Sequence, residues 1–221
     1  MSYRLSVDVG GTFTDTVMFN DQNKMIQTTK TRSTPRDYSL GIQEGIKKIC
    51  QQMNVEMGDI TYFIHGTTVA TNALLERKGA RTAMITTQGF RDVLEIARQR
   101  RPDNYDFWAK RPTSPIPRRL VYEIEERTLV DGSIMTQLNR EQAKEIIAKL
   151  KKEEVKSVAI CFLHSYANSA NEMEMKRLVK EALPGIHLCT SCETLPEIRE
   201  YERFCTTAVN AYQRKGLYYK P

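Results

Sequence analysis

The residues best equipped for chemistry lie within the first twenty positions. There "VDVGGTFTDTVMF" sets two glycines and two threonines between aspartates. Gly10 and Gly11 have no side chain, so backbone N–H groups at that point can approach phosphate oxygens, and the hydroxyls of Thr12 and Thr14 add donors. Asp8, at the end of the first apolar run, and Asp15, just past the turn, bring carboxylates to the same place. Carboxylates beside phosphates hold Mg²⁺, directly or through water. β-forming residues follow the glycines, which separates the pattern from the Walker loop and the dinucleotide fingerprint, where a helix follows. The bland alternative is a tight hairpin whose glycines only make the turn; Asp8, Thr12, Thr14 and Asp15 around them favour phosphate.

A second constellation is "HGTT", where a strand meets a helix. Thr67 and Thr68 can present hydroxyls and backbone donors to an anion there. His65 can carry a proton or touch substrate, and Asn72 sits about one turn into the helix as an amide donor. The alternatives stay open: Thr67 can cap the helix, and His65 can be a hydrogen-bonded core histidine. Arg98, Arg100 and Arg101 open a long loop, where they can clamp a carboxylate or phosphate or simply be solvated. The charges of "PEIREYERF" recur at helical spacing, and pairing of exposed charges accounts for most of them, Glu200 and Arg203 included. Cys189 and Cys192 form "CTSC". Zinc would need two further ligands at close spacing, so small buried side chains at a strand end are the favoured reading over a metal or redox site.

These residues need elements to hold them. "RLSVDV", "DTVMF" and "MIQTTKT" read as a three-stranded meander, followed by a helix that starts near Thr34–Asp37 and runs to about Asn54. "ITYFIHGTT" is a strand, followed by a helix that stops at Gly79. "RTAMITT" is a strand and "GFRDVLEIAR" a short helix. Residues 99–119 hold four prolines, several arginines and the only tryptophan, and form a long loop. "LVYEIEERTLVDGSIMTQL" reads as a hairpin turned at Asp131-Gly132. Asn139 caps a helix, "SVAICFLHS" is an apolar strand, and Ser169 with Glu172 forms a capping box. A strand near "IHLCTS" and a helix over "EIREYERFCTTAVNAY" complete the series. The class is α/β, a mixed sheet with flanking helices.

The 221 residues are 40% hydrophobic and 27% charged, enough for a buried core in one large domain or two small ones. The net charge of +6 is scattered, which gives nucleic-acid binding little support. No apolar run approaches the ~18 residues of a membrane span, and no signal peptide opens the chain. Five cysteines without framework spacing fit reduced thiols, so a cytoplasmic protein is expected.

The glycine turn resembles the first phosphate loop of the superfamily of actin, the Hsp70 chaperones and the sugar kinases. "HGTTVATNALLERKGARTAMITTQGFRDVLEIARQRRP", "RRLVYEIEER", "SVAICFLHSYAN" and "LPEIREYERFCTTAVNAY" closely resemble the N-terminal region of the hydantoinase/oxoprolinase family, from about Arg4 to Tyr212. The resemblance implies an actin-like, ribonuclease H-like ATPase half, read as one N-terminal domain over residues 1–221. It implies ATP and Mg²⁺, with Asp8, Gly10, Gly11, Thr12, Thr14 and Asp15 at the β- and γ-phosphates and the metal. It further implies catalytic roles for His65, Thr67 and Thr68, and substrate contacts for Asn72 and Arg98.

The implied reaction is phosphorylation of a carbonyl oxygen, then ring opening of a cyclic amide or carboxylation of a ketone. A non-catalytic binding module is the third alternative. The expected partners are the small substrate and the family's C-terminal half or a partner subunit, which would carry the adenosine pocket; association into an oligomer is expected too. "CTSC" departs from the aliphatic or serine residues expected at that strand end.

Overall fold

The computed structural model describes residues 2–35, 37–100, 103–109 and 112–213. Arg101, named above for the loop, and the tail from residue 214 lie outside the described residues. The chain forms two compact units, the first running to Glu76 and the second beginning at Arg77.

The first unit opens with the expected meander, β1 (Tyr3–Val9), β2 (Phe13–Asn20) and β3 (Ile26–Arg32). Alternation governs β1: Tyr3, Leu5, Val7 and Val9 are buried, while Arg4, Ser6 and Asp8 take the other face. Helix α1 (Tyr38–Met53) starts where the Asp37 carboxylate accepts from Ser39 N and ends at Asn54 in the left-handed region. Its buried stripe is Gly41, Ile42, Gly45, Ile49 and Cys50. Gly45 matters for close approach, since a Cβ there would lie 2.5 Å from Thr16 Oγ1. Strand β4 (Ile60–Thr67) pairs parallel with β1, giving the order β3-β2-β1-β4. Helix α2 (Val69–Leu75) follows and stops four residues short of Gly79. The core here is small: β1, Met18, α1 and Val69.

The second unit is built on a separate sheet, all parallel, in the order β10-β9-β5-β6. Its members are β5 (Thr82–Thr87), β6 (Val121–Ile124), β9 (Ser157–Cys161) and β10 (His187–Thr190). Every residue of β5 and β9 is buried, as expected of parallel strands covered on both faces. Helices α3 (Val93–Ile96), α4 (Arg140–Lys152), α5 (Ala170–Ala182), α6 (Ser191–Thr194) and α7 (Glu200–Gln213) complete it. Helix α7 packs on β9, β10 and β5, while α4 packs on β6. The described part of residues 99–119 contains no strand or α-helix.

Three expectations are corrected in this unit. The long hairpin is split: "VYEI" joins the parallel sheet as β6, and only the short β7 (Arg127–Thr128) and β8 (Ile134–Thr136) pair across the turn at Gly132. Asn139 does cap α4, accepting from Gln142 N, but Ser169 makes no side-chain cap on α5. Glu172 is drawn inward instead, where its carboxylate accepts from Phe162 N, Ser191 Oγ and Cys192 N. Arg203, expected on an exposed charged face, is fully buried. It donates to Ser191 Oγ, Glu197 O and Phe162 O, so Ser191 links it to Glu172 at the ends of β9 and β10.

Candidate functional site

The glycine turn joins β1 to β2 and is closed by Gly10 N donating to Phe13 O at 2.9 Å. A Cβ on Gly10 would itself lie 2.9 Å from that carbonyl, so the turn excludes a side chain there. Gly11 and Thr12 are exposed at the tip. Ser33, just after β3, braces the turn from behind: its hydroxyl donates to Gly10 O at 2.8 Å, and its N–H donates to Thr12 O at 2.9 Å. Thr14 belongs to this brace and not to the open side, because its hydroxyl is completely buried and lies 3.0 Å from Ser33 Oγ. The direct donor role expected of Thr14 therefore has no geometric support, since strand alternation turns position 14 into the core.

Asp8 and Asp15 are directly opposed in the β1–β2 register, on the face away from the core. Opposed positions place Cβ atoms about 4.5–5.5 Å apart, and two like charges there repel unless a cation joins them. Lys30, opposite Asp15 on β3, supplies one at 3.2 Å. No cluster of three or more His, Cys, Asp or Glu side chains suited to a metal exists among the described residues. Two hard carboxylates beside a bare backbone turn still fit Mg²⁺, which commonly takes one or two carboxylates and fills its other positions with water and phosphate. Lys30 carried no motif signal, yet simple pairing of the meander strands would have placed it beside Asp15.

β4 delivers the second constellation. Thr67 Oγ1 donates to Val9 O at 3.0 Å and accepts from Val69 N at 3.2 Å, so its hydroxyl is committed to joining β1 and capping α2. Thr68 N donates to Val9 O, and Thr68 O accepts from Asn72 N. The Asn72 amide reaches the turn: its Nδ2 lies 3.7 Å from where a Cβ on Gly11 would be, and 3.5 Å from Thr68 Oγ1. Thr68, Asn72, Gly10 and Gly11 thus come together. His65 is exposed and stacks on Phe63 at 6.5 Å between ring centroids, which overturns the core-histidine alternative. It pairs with Val7, whereas Gly66 pairs with Asp8, so His65 projects from the sheet face opposite the two carboxylates.

Arg98 belongs to the second unit, where it pairs with Glu202 at 2.5 Å. The bond to Arg98 holds the Glu202 carboxyl below its ordinary value. Both line a cleft of about 510 Å³ with Phe90, Val93, Ile96 and Arg199. Nearby in sequence to β10, burial and the Glu172 carboxylate push the Cys192 thiol up to about 12. Burial also raises Cys161 well above the usual thiol range. In "CTSC" itself Cys189 is buried and Cys192 half-buried, at the end of β10.

Residues 4–183 match the hydantoinase/oxoprolinase N-terminal region. The chain belongs to the hydantoinase/oxoprolinase family. Among family relatives, a Methanocaldococcus jannaschii protein of unassigned role is 40% identical over 96% of this chain, which is 31% of that protein. The caprolactamase subunit alpha of Pseudomonas jessenii is 36% identical over 95% of this chain and 31% of its own length. The crystal structure of that ATP-dependent caprolactamase superposes with a TM-score of 0.79. A nucleotide-free acetone carboxylase superposes at 0.86 with 24% identity, covering 96% of this chain and 32% of its own, a likeness of fold. The chain spans about a third of the length of these relatives. No helix among the described residues is long and apolar enough to cross a membrane.

Proposed function

We propose that this chain is the phosphate-binding N-terminal region of an ATP-dependent cyclic-amide hydrolase of the hydantoinase/5-oxoprolinase type. The observation that carries the reading is the braced Gly10-Gly11 turn with Asp8 and Asp15 opposed beside it. Gly10, Gly11 and Thr12 offer the β- and γ-phosphates a bare backbone edge and a hydroxyl. Asp8 and Asp15 would hold Mg²⁺, which would neutralise phosphate charge there, and Lys30 balances Asp15 in the structure. The Asn72 amide and Thr68 hydroxyl add neutral donors on the Gly11 side. His65, on the other face, is assigned to contact with the wider assembly or substrate, and Arg98 to a carboxylate of the substrate once it leaves Glu202.

Bound ATP would supply the phosphoryl group that turns an amide oxygen into a leaving group before ring opening. The chain's own contribution is positioning and charge neutralisation. The name of the 36%-identical caprolactamase points to a cyclic amide, and the ketone carboxylase likeness at 24% supports the fold only. The assembly is read as cytoplasmic, with the small amide and the remaining family polypeptide as partners.

The test is a titration of ATP with and without Mg²⁺, followed at the Gly10 and Gly11 amides by NMR. Asp8→Asn should weaken the Mg²⁺-dependent component by about tenfold or more, roughly 1.4 kcal/mol, while leaving the fold intact. An unchanged titration in that variant removes the phosphate-turn role. Ring opening of 5-oxoproline or hydantoin, against bicarbonate-dependent loss of a ketone, then separates the two reaction classes in the full assembly.

A further inference from the structure

The ion pairs around α3 differ in how completely they are made. Arg118 grips both oxygens of Asp92, donating from Nε to Oδ1 at 2.6 Å and from Nη2 to Oδ2 at 3.0 Å. Arg98 instead brings Nε and Nη2 to a single oxygen of Glu202, Oε1, at 2.7 and 2.5 Å. Glu202 Oε2 is closed to solvent and meets no donor from another described residue. A buried carboxylate oxygen without a donor is costly. A guanidinium carries five N–H groups, so Arg98 can serve a second acceptor as well.

This incomplete pair sits against an apolar floor. Phe90, Val93 and Ile96 line the same cleft of about 510 Å³, and Ile96 keeps 49% of its surface exposed. A cleft of that volume holds a small organic molecule. Its charged lining is set by backbone in the region that favours glycine: Ala97, next to Arg98, has φ 51°, and Arg199 has φ 81°. Residues with side chains are costly to hold in that region, and they cluster at ligand sites. The Arg199 charge bears on Glu202 together with that of Arg98.

We infer that this cleft binds a free α-amino acid with an apolar side chain. The carboxylate and ammonium of such a molecule sit on one carbon, which matches an arginine and a glutamate in direct contact. Its carboxylate goes to Arg98 and Arg199, its ammonium supplies the donor that Glu202 lacks, and its side chain lies on Phe90, Val93 and Ile96. Either charge alone would leave half of the Arg98–Glu202 pair unmatched. The inference rests on the assignment of Arg98 to a carboxylate made above, and it requires nothing of the glycine turn.

An NMR titration of this chain, followed at the Phe90, Val93, Ile96 and Tyr201 amides, tests it. The probes are norleucine, hexanoate as the carboxylate alone, pentylamine as the ammonium alone, and 6-aminohexanoate, the isomer of norleucine with its charges at opposite ends. Norleucine should saturate with a Kd in the millimolar range or below, and each other probe should bind at least about tenfold more weakly. Arg98→Gln and Glu202→Gln should each weaken norleucine by at least about tenfold, whereas Arg177→Gln, which removes ion pairs on α5, should leave it unchanged. Hexanoate binding as tightly as norleucine would overturn the inference in favour of a simple anion site. Equal or tighter 6-aminohexanoate would overturn it in favour of a ring-opened lactam. The absence of a saturable shift with norleucine would overturn it outright, whatever the variants do. Norleucine binding together with an unchanged Mg²⁺–ATP titration in Asp8→Asn would support the cleft and remove the phosphate-turn reading; the reverse pair of results would remove the cleft and leave that reading standing.

Discussion

β9 and β4 are both strands with an apolar stretch, and they have opposite fates. β9 is buried at every residue, flanked by β5 and β10 and covered by helices, and its Val158, Ile160 and Phe162 neighbourhood is the centre of the second unit's core. β4 is exposed almost throughout, although Ile60, Tyr62, Phe63 and Ile64 are as apolar. Strand propensity reports that a segment fits a pleated surface; what covers that surface is decided elsewhere. The second unit has closed its layers and the first has closed only the half under α1.

The strongest way to break this contrast is at Arg203. Removing its side chain takes the donor from Ser191 Oγ and from the Phe162 and Glu197 carbonyls in the closed core, and Arg203→Ala should cost the second unit about 3–5 kcal/mol. Exchange of β5 and β9 amides should accelerate accordingly while that of β1 and β2 stays unchanged; equal acceleration in both units would show that the two do not differ in closure. Next comes a matched pair of truncations. Ile160→Ala should cost about 2–5 kcal/mol by urea unfolding, and Ile64→Ala less than about 0.5 kcal/mol.

The contrast sharpens with Gly45→Ala, which drives a methyl group onto Thr16. A loss of about 1–3 kcal/mol, read at the β1 and β2 amides, would show that the covered half of the first unit is packed as tightly as the second. A small gain instead would mean that α1 floats on its sheet.

The smallest effect concerns acid. Burial raises the Glu126 carboxyl above its ordinary value even though Thr87 and Asn171 bond to it. The folded protein then holds that proton more tightly than the unfolded chain. Its contribution to stability is therefore full below the ordinary carboxyl value of 4.5 and declines as pH rises through the higher folded value. Surface carboxylates such as Asp92, held low by Arg118, act in the opposite sense and lose stability as pH falls. Glu126→Gln should remove only the first component, so stability of the variant should decline less between pH 4.5 and 7 than that of the wild type. Parallel curves for variant and wild type would show that Glu126 does not titrate in that window.

Much of the frame was legible because it is local. The alternation of "RLSVDV", the helix start near Asp37, the Asn139 cap and the Asp131-Gly132 turn each depend on neighbours within a few residues. What escaped depends on distant partners. "VYEI" went to a parallel sheet because β5 offered an open edge, and Glu172 turned inward because Phe162 N, Ser191 and Cys192 N needed an acceptor. Arg203 looked like one more charge on an exposed helix, and only the ends of β9 and β10 make it a core residue. At the candidate site, Asp8, Gly10 and Gly11 were readable from spacing, whereas the inward direction of Thr14 and the bracing by Ser33 follow from register. His65 shows the same limit, since one step along β4 decides which face of the sheet it serves.

The brace behind the glycine turn bears on affinity. Ser33 fixes Gly10 O and Thr12 O, and Thr14 fixes Ser33, before any anion arrives. Each residue that would otherwise have to be ordered on binding carries about 1–2 kcal/mol of backbone entropy. In this turn that loss is settled during folding, so the favourable contacts made by an incoming phosphate are not spent on shaping the peptide that receives it.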